Sequence, residues 1–248
     1  MNKYSSNKII LLAGHTGYIG KLVLTKLIDL GYQVICVGRN PDNKNKTYLT
    51  RFNFYKTDIC SKTELNKLKG EISKIDAVIS CIGSRTGGKQ DSWDVEFEAN
   101  KNLLDLGYDL SCSHFILLSA ICVQKPKLEF QFAKIAFENL LISSGMTYSI
   151  IRPTAYFKSL SGQIKNIKDG KSFVLFDSGL NTRCKPISEN DLSDFICDCL
   201  VLDSRLNKIL PIGGRGPAFT PQDQAEIIFK LVNKKPKYKK IPSFIFKI

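Results

Sequence analysis

Short hydrophobic runs alternate with longer amphipathic segments through the first two thirds of the chain. The runs have the length of buried strands and lie at 9–13, 34–37, 52–56, 77–82, 115–118 and 148–151. Segments with apolar residues at helical spacing lie between them, at 22–30, 63–72, 93–109 and 128–143. Continuous apolar strands are typical of parallel sheets that are covered on both faces. The alternation therefore predicts an α/β fold built on a doubly wound parallel sheet.

The last third of the chain is less regular. It has a weak strand pattern at 172–176 and a stronger one at 206–212. Capping signals at 188–191 and at Thr220-Pro221 predict two further helices, which end near Leu202 and Val232. We expect a single domain, in which residues 1–155 form the cofactor half and residues 156–248 form a small irregular region on the substrate side.

A glycine-rich turn follows the first hydrophobic run. Its sequence is Gly14-His15-Thr16-Gly17-Tyr18-Ile19-Gly20. Glycine permits a tight turn and lets an anion approach the main chain, and the start of the next helix offers free N–H groups to a pyrophosphate. Between two strands, this turn predicts the βαβ unit of an NAD(P)-binding Rossmann fold. The alternative is an ordinary turn beside a helix cap.

The residues after the second strand select between NAD and NADP. A carboxylate there would bond the ribose hydroxyls of NAD, but this chain has Gly38-Arg39-Asn40. Arg39 can form a bidentate contact with a 2′-phosphate, which favours NADPH. The alternative is a solvated surface arginine. Asp58 follows the third strand, at a position that often faces the adenine ring in nucleotide-binding folds.

Composition narrows the class of protein. The chain has 248 residues and a net charge of +13, but its lysines are scattered and the dense basic run is confined to 234–240. Without a helix-turn-helix, zinc-finger or RNA-binding motif, we expect no nucleic-acid binding. His15 and His114 lie far apart, so we expect no metal site. The eight cysteines lack a C-x-x-C pair and are typical of small core residues in a reducing compartment.

No hydrophobic run approaches 18 residues, so we predict no transmembrane segment. The N-terminus has no signal-peptide core, and a first strand near residue 8 leaves no room for a cleavable targeting peptide. We therefore expect the protein to act in the compartment where it is made.

The candidate chemistry lies where the later strands end. The pattern resembles that of short-chain reductases, in which the fifth strand ends in Ser and the next helix carries Tyr-x-x-x-Lys. Ser119 and Lys134 match, but Phe130 replaces the tyrosine. A phenyl ring cannot donate a proton, which excludes ketone–alcohol chemistry through this residue. Three interpretations follow: reduction of another group such as a conjugated C=C, an acid role for Lys134 or another donor, or cofactor binding without chemistry.

Longer motifs resemble one family in particular, the divinyl chlorophyllide 8-vinyl reductases, which are atypical short-chain dehydrogenase/reductases. The matching segments cover nearly the whole chain and lie at 80–93, 114–126, 128–131, 152–160, 184–189 and 210–214. The family shares the Phe in place of Tyr. The resemblance implies an enzyme of chlorophyll biosynthesis that uses NADPH to reduce the 8-vinyl group of a divinyl tetrapyrrole to ethyl. Hydride addition to such a vinyl group spreads charge over the macrocycle, so a strong local acid is less needed.

The resemblance also implies partners and site residues. The substrate would be divinyl chlorophyllide or divinyl protochlorophyllide, a magnesium-containing pigment, and a peripheral membrane contact is compatible with it. We expect a plastid location if the chain is plastid-encoded, or otherwise a bacterial cytoplasm. The candidate catalytic residues are Lys134, Ser119 and Tyr156, with Lys134, Tyr156 or water as the proton donor. The residues expected to contact the cofactor are Gly14, Thr16, Gly17, Tyr18, Ile19, Gly20, Arg39, Asp58, Cys81, Lys134, Arg152 and Pro153.

Members of this family continue beyond the position that matches Ile248, so we expect a substrate side that is shortened at its C-terminus. The alternative function is a non-catalytic NADP-binding redox sensor or assembly factor of the same fold. A reductase for a different conjugated alkene is a further hypothesis, which the match at 80–93 does not favour.

Overall fold

The computed structural model describes residues 7–40 and 51–246. Its strands are β1 (Ile9–Ala13), β2 (Gln33–Gly38), β3 (Asn53–Lys56), β4 (Ala77–Ser80), β5 (His114–Leu118), β6 (Thr147–Pro153), β7 (Phe173–Phe176), β8 (Lys208–Ile212) and β9 (Tyr238–Ile241). Seven of them form one sheet in the order β3-β2-β1-β4-β5-β6-β8, in which every neighbouring pair is parallel. The predicted doubly wound parallel sheet is therefore confirmed.

Helices connect these strands. They are α1 (Tyr18–Asp29), α2 (Lys62–Lys67), α3 (Lys89–Ser92), α4 (Ala99–Asp109), α5 (Glu129–Ser143), α6 (Phe157–Leu160), α7 (Ile164–Lys168), α8 (Glu189–Asp198) and α9 (Pro221–Leu231). A π-helical turn, Trp93–Glu98, joins α3 to α4, so the helix predicted at 93–109 contains a change of winding near its start. The helix predicted to end near Leu202 ends at Asp198 instead. Thr220 is the N-cap of α9 and Pro221 its first residue, as predicted, and Thr220 also forms a capping box with Asp223.

The described chain divides into two compact units. The first contains the described residues of Met1–Pro153 together with Glu189–Ile212, and the second contains Thr154–Ser188 with the described residues of Gly213–Ile248. The segment Glu189–Ile212, which the sequence pattern groups with the substrate side, belongs to the first unit. The physical reason is that β8 pairs in parallel with β6 and so extends the main sheet.

The core of the first unit lies between the central strands and their helices. Every residue of β4 and β5 is buried, as expected for parallel strands that are covered on both faces. Phe115 of β5 and Phe137 of α5 are both fully buried, and their ring centroids are 5.6 Å apart. Cys36, Cys112, Cys197 and Cys199 are buried as predicted, whereas Cys60 and Cys122 are exposed.

The second unit has its own small core. β7 and β9 form a parallel pair, and Phe173 and Leu175 of β7 pack against apolar residues of α7 and α9. The side chain of Gln163 occupies the other edge of β7, where it accepts a hydrogen bond from the Val174 N–H at 2.7 Å and donates one to the Val174 carbonyl at 3.0 Å. An amide side chain thus satisfies backbone groups that would otherwise lie unpaired at a strand edge.

Within the described residues, no helix has both the length and the apolar character that a membrane span requires.

The buried His114 predicts a pH dependence of stability. Burial, and to a lesser degree the charge of Lys8, lowers the pKa of His114 from 6.5 to about 4. Between these values the unfolded state binds a proton that the native state does not, so stability falls as the pH falls. From pH 7 to pH 5 we expect this residue to remove about 2 kcal/mol from the free energy of unfolding.

Urea unfolding of wild-type protein and His114→Gln at both pH values measures this contribution. The variant should show a smaller loss between pH 7 and pH 5, because its side chain does not titrate. Equal losses in the two proteins would mean that His114 takes up its proton in the native state.

Candidate active site

The predicted site residues of the first unit lie at one edge of the sheet. Parallel strands share the edge at which they end, and ligands of doubly wound folds bind there. Residues 14–20 follow β1, and Arg39, Asp58, Cys81 and Ser119 follow the next four strands in chain order. Tyr156 lies in the second unit, where it forms an isolated parallel bridge with Ile187.

The glycine turn has the shape that a pyrophosphate needs. Gly14 has a φ of +86°, and a Cβ added to it would lie 2.6 Å from the carbonyl carbon and oxygen of Cys81. The Gly17 N–H donates to the Gly14 carbonyl at 2.9 Å, and Gly17 is the N-cap of α1. The predicted pyrophosphate site therefore fits the observed turn.

Gly20 lies against the start of the turn. A Cβ on Gly20 would overlap the carbonyl oxygen of Gly14. Gly20 thus keeps the turn itself compact. Thr16 is exposed, whereas the side chain of Ile19 is buried in the core. A cofactor could therefore contact Ile19 only through its backbone.

Tyr18 joins the start of α1 to α8. Burial and a hydrogen bond to the carboxylate of Glu189 raise the pKa of Tyr18, so the hydroxyl stays protonated and donates to that acid. The pairing holds α1 against α8, which belongs to the returning segment of the first unit.

Arg39 and Asp58 lie just beyond the carboxyl ends of β2 and β3. Arg39 is exposed, which leaves its guanidinium accessible to a phosphate group. One carboxylate oxygen of Asp58 accepts the N–H of Cys60 at 3.1 Å, so a local turn fixes its orientation. The pKa of Asp91 is lowered chiefly by hydrogen bonds from Thr86, and more weakly by the charge of Arg39.

The loop at 83–88 contains three glycines, which are typical of a flexible segment, but two acids fix its backbone. Asp91 accepts hydrogen bonds from the backbone N–H groups of Arg85 and Thr86 and from the Thr86 hydroxyl, at 2.8–2.9 Å. Glu96 accepts the N–H and hydroxyl of Ser84 at 2.9 and 3.0 Å. The loop after β4 is therefore organised by the helical segment that follows it.

Lys134 forms a buried ion pair. Its ammonium lies 2.7 Å from a carboxylate oxygen of Glu96, and the two side chains are 11% and 3% exposed. The lysine charge also reaches Cys81, but burial dominates there and raises the pKa of Cys81 to about 12. Cys81 is therefore a neutral thiol at physiological pH, and not a nucleophile.

Ser119 and Arg152 converge on another buried acid. The Ser119 hydroxyl donates to Glu138, and the guanidinium of Arg152 pairs with the same carboxylate through two nitrogens. Glu138 lies one helical turn after Lys134 on α5. This cluster ties the helix to the ends of β5 and β6, and Pro153 ends the second of these strands.

Sequence reasoning did not identify Glu96 or Glu138. Glu138 had a usable signal, because it lies four residues after Lys134 and on the same face of a helix. Glu96 had a weaker one, since an acid within a helical segment ordinarily faces solvent.

The fold and the glycine turn together define a class of protein that binds a nicotinamide dinucleotide. Among the described residues, no cluster of histidine, cysteine or acidic side chains could hold a metal ion. The chain belongs to the NAD dependent epimerase/dehydratase family, whose sequence profile matches residues 10–183.

The predicted resemblance to 8-vinyl reductases is confirmed. The chain is 47% identical over 247 residues to the chloroplastic divinyl chlorophyllide a 8-vinyl-reductase of Cucumis sativus. The matched region covers 94% of this chain and 59% of that protein. The chain is 45% identical over 256 residues to the Arabidopsis thaliana protein of the same name, with 97% and 61% covered. The photosystem II assembly factor Ycf39 of Synechocystis is 24% identical over 209 residues, with 83% and 62% covered. The chain therefore spans about three fifths of the length of these curated relatives.

Solved structures share the fold. The UDP-glucuronic acid 4-epimerase of Bacillus cereus, in complex with NAD, has a TM-score of 0.79 at 18% identity, with 94% of this chain and 86% of that chain covered. The NADPH-dependent quinone oxidoreductase of Escherichia coli, complexed with NADPH, also has a TM-score of 0.79, at 16% identity, with 96% and 80% covered. Proteins of this fold thus include one that holds NAD and another that holds NADPH.

Proposed function

We propose that this protein reduces the 8-vinyl group of divinyl chlorophyllide, or of divinyl protochlorophyllide, to an ethyl group with NADPH. The observation that carries the proposal is the 47% identity to the Cucumis sativus reductase across 94% of this chain. The site supports it, because Lys134 is held at the carboxyl edge while Phe130 replaces the tyrosine that carbonyl reduction would need.

The chain's residues supply binding and a proton. When bound, reduced nicotinamide supplies a hydride, which one carbon of the vinyl group receives while the other takes a proton. Lys134 is the proposed proton donor, since its ammonium is fixed by Glu96 and carries transferable protons. The Ser119 hydroxyl donates its hydrogen bond to Glu138, so its proposed role is to hold α5 in place. Tyr156 of the second unit is the alternative donor.

A direct assay tests the proposed reaction. Purified protein is incubated with NADPH and divinyl chlorophyllide, and the pigment is separated by chromatography while the Soret band is followed. We expect conversion to the monovinyl pigment with a small blue shift. The full-length Cucumis sativus reductase is the positive control, because this chain spans 59% of its length. No conversion under conditions in which that control works would refute the activity for this chain.

A non-catalytic assembly factor is the second candidate, favoured by the more distant similarity to Ycf39. It predicts that the protein binds NADPH but converts neither divinyl pigment. Quenching or enhancement of NADPH fluorescence measures binding without turnover. Binding together with conversion would exclude this candidate.

Replacing Arg39 by alanine tests the choice of NADPH. The proposed bidentate contact with the 2′-phosphate is a charge-assisted interaction worth roughly 1.5–3 kcal/mol. We therefore expect Arg39→Ala to weaken NADPH binding about ten- to hundredfold, while NADH binding changes less than about twofold. Fluorescence titration with each cofactor provides the two dissociation constants.

Arg51 provides the matched control for Arg39. It is exposed, pairs with Asp29 at 3.7 Å, and precedes β3, so it lies at the opposite edge of the parallel sheet. Arg51→Ala removes the same charge and should leave both dissociation constants unchanged. Equal losses for NADPH and NADH in Arg39→Ala would contradict a phosphate contact.

We also propose a plastid location and a peripheral membrane contact. The relatives from two plants are chloroplastic by name. In the second unit, Leu231, Phe244 and Ile245 are 79%, 69% and 54% exposed, and the same part of the chain carries the exposed lysines of 234–240. Exposed apolar side chains beside lysines suit an anionic membrane surface. Co-sedimentation with vesicles of anionic and of neutral lipid tests the contact, and equal recovery with both would contradict the charge contribution. Immunoblots of isolated plastids test the location.

A further inference from the structure

Glu96 is the partner of Lys134 and lies on the π-helical turn before α4. We propose that Glu96 is a positioning residue, which fixes the ammonium of Lys134 where it serves both the cofactor and the proton transfer. The proton-transfer part rests on the proposed function, whereas the part that concerns cofactor binding does not.

Both oxygens of the Glu96 carboxylate are used. Oε2 accepts from the Lys134 ammonium at 2.7 Å, and Oε1 accepts from the N–H and the hydroxyl of Ser84 at 2.9 and 3.0 Å. A carboxylate held from both sides has a single orientation. The ammonium it binds is fixed relative to the loop at 83–88, which follows β4 at the cofactor edge of the sheet.

The turn that carries Glu96 is itself anchored. The Asn100 amide donates to the Glu96 carbonyl at 2.9 Å, and the Asn100 side-chain oxygen accepts the hydroxyl of Ser80 at 2.6 Å. Ser80 is the last residue of β4, and both it and Asn100 are buried. A continuous set of hydrogen bonds therefore connects the central sheet to the lysine. Functional side chains are held in productive geometry by such supporting contacts.

The second ion pair on α5 differs from the first in its cation. Glu138 pairs with Arg152 and also accepts from Ser119. A guanidinium does not release a proton in proteins. Lys134, in contrast, can. Within the described residues its hydrogen-bond acceptor is Glu96, which uses one of the three ammonium N–H groups. The other two can face a cofactor hydroxyl or a substrate carbon.

A double-mutant cycle tests the proposal. Positioning predicts that Glu96→Gln weakens NADPH binding about five- to twentyfold and lowers kcat about 10- to 100-fold. In the Lys134→Met background the same Glu96→Gln change should alter NADPH binding less than twofold, because Glu96 acts through the lysine. Such a coupling is what a cycle measures. Both variants are first compared with wild type by circular dichroism.

Two further variants, a matched control and a substitution that keeps the charge, accompany the cycle. Glu98→Gln is the matched control, since Glu98 ends the same π-helical turn but is 48% exposed and lies 4.0 Å from Lys101. It should leave NADPH binding unchanged. Glu96→Asp keeps the charge one methylene shorter, so it should restore part of the affinity and rate that Glu96→Gln loses. If Glu96→Gln does not fold, Glu96→Asp is carried through the same cycle with Lys134→Met.

The outcomes are distinct. If Glu96→Gln lowers NADPH affinity in the wild-type background but not in the Lys134→Met background, positioning is supported. Unchanged affinity in a folded Glu96→Gln protein, or equal losses in both backgrounds, overturns it. If the cycle on NADPH binding behaves as expected but wild-type protein reduces neither divinyl pigment, the proposed reaction fails while the positioning of Lys134 toward the cofactor stands.

Discussion

Replacing Lys134 by arginine should lower kcat/KM for vinyl reduction by about 10²- to 10⁴-fold, the usual contribution of a positioned general acid. Arginine keeps the positive charge and can still pair with the buried Glu96, so the protein should stay folded. A guanidinium does not give up its proton in proteins, whereas an ammonium can. The substitution therefore separates the charge of Lys134 from its capacity to donate a proton.

Two comparisons interpret the result. Lys134→Met removes the charge as well, leaves the buried carboxylate of Glu96 without its cation, and should lower the free energy of unfolding by about 3–5 kcal/mol. Lys101→Met, at a lysine that is 43% exposed and lies 4.0 Å from Glu98, should change neither rate nor stability. Wild-type turnover by Lys134→Arg would exclude Lys134 as the donor and would favour Tyr156 or water.

Alanine at Gly14 should weaken NADPH binding at least a hundredfold and destabilise the protein by about 2–4 kcal/mol. Two costs combine. Alanine disfavours a φ of +86°, and its Cβ would lie 2.6 Å from the backbone of Cys81, so the turn or the end of β4 must move. The proposed pyrophosphate site is formed by that backbone, and a displaced turn no longer presents its N–H groups in the same geometry.

Gly145 separates the two costs. Its φ is +84°, close to that of Gly14, but no atom lies within 4 Å of the position of an added Cβ. Gly145→Ala should therefore cost about 1 kcal/mol of stability and leave NADPH binding unchanged. Urea unfolding and fluorescence titration supply both quantities. Similar cofactor affinities in the two variants would show that the contact between Gly14 and Cys81 does not shape the binding site.

The sheet was predictable because its central strands are apolar on both faces. β1, β4 and β5 are continuous hydrophobic runs, and a parallel arrangement is the one that buries such runs. The position of β8 was not predictable from its own residues. Every residue of that strand is exposed or half-buried, and the strand joins the main sheet by pairing with β6, which lies more than fifty residues earlier in the chain.

The glycine turn was predictable because its function depends on the absence of side chains, which the sequence displays directly. The environment of Lys134 was not. Whether an acid on a helix faces water or a buried cation depends on packing, and the π-helical turn that directs Glu96 inward leaves no signal that we recognise in the sequence. The same holds for the loop at 83–88, whose glycine, serine and threonine content suggests mobility while Asp91 and Glu96 fix its backbone.

That fixed loop has a consequence for protein engineering. Its hydrogen-bonding partners are supplied by the next ten residues of the chain, so loop and helix start form one exchangeable module at 83–98. A chimera that transplants residues 83–88 alone would place Asp91 and Glu96 opposite a foreign backbone, and it would remove the Ser84 hydroxyl that helps to orient the carboxylate of Glu96 toward Lys134. Grafting the whole module should transfer whatever substrate preference the loop carries without disturbing the lysine.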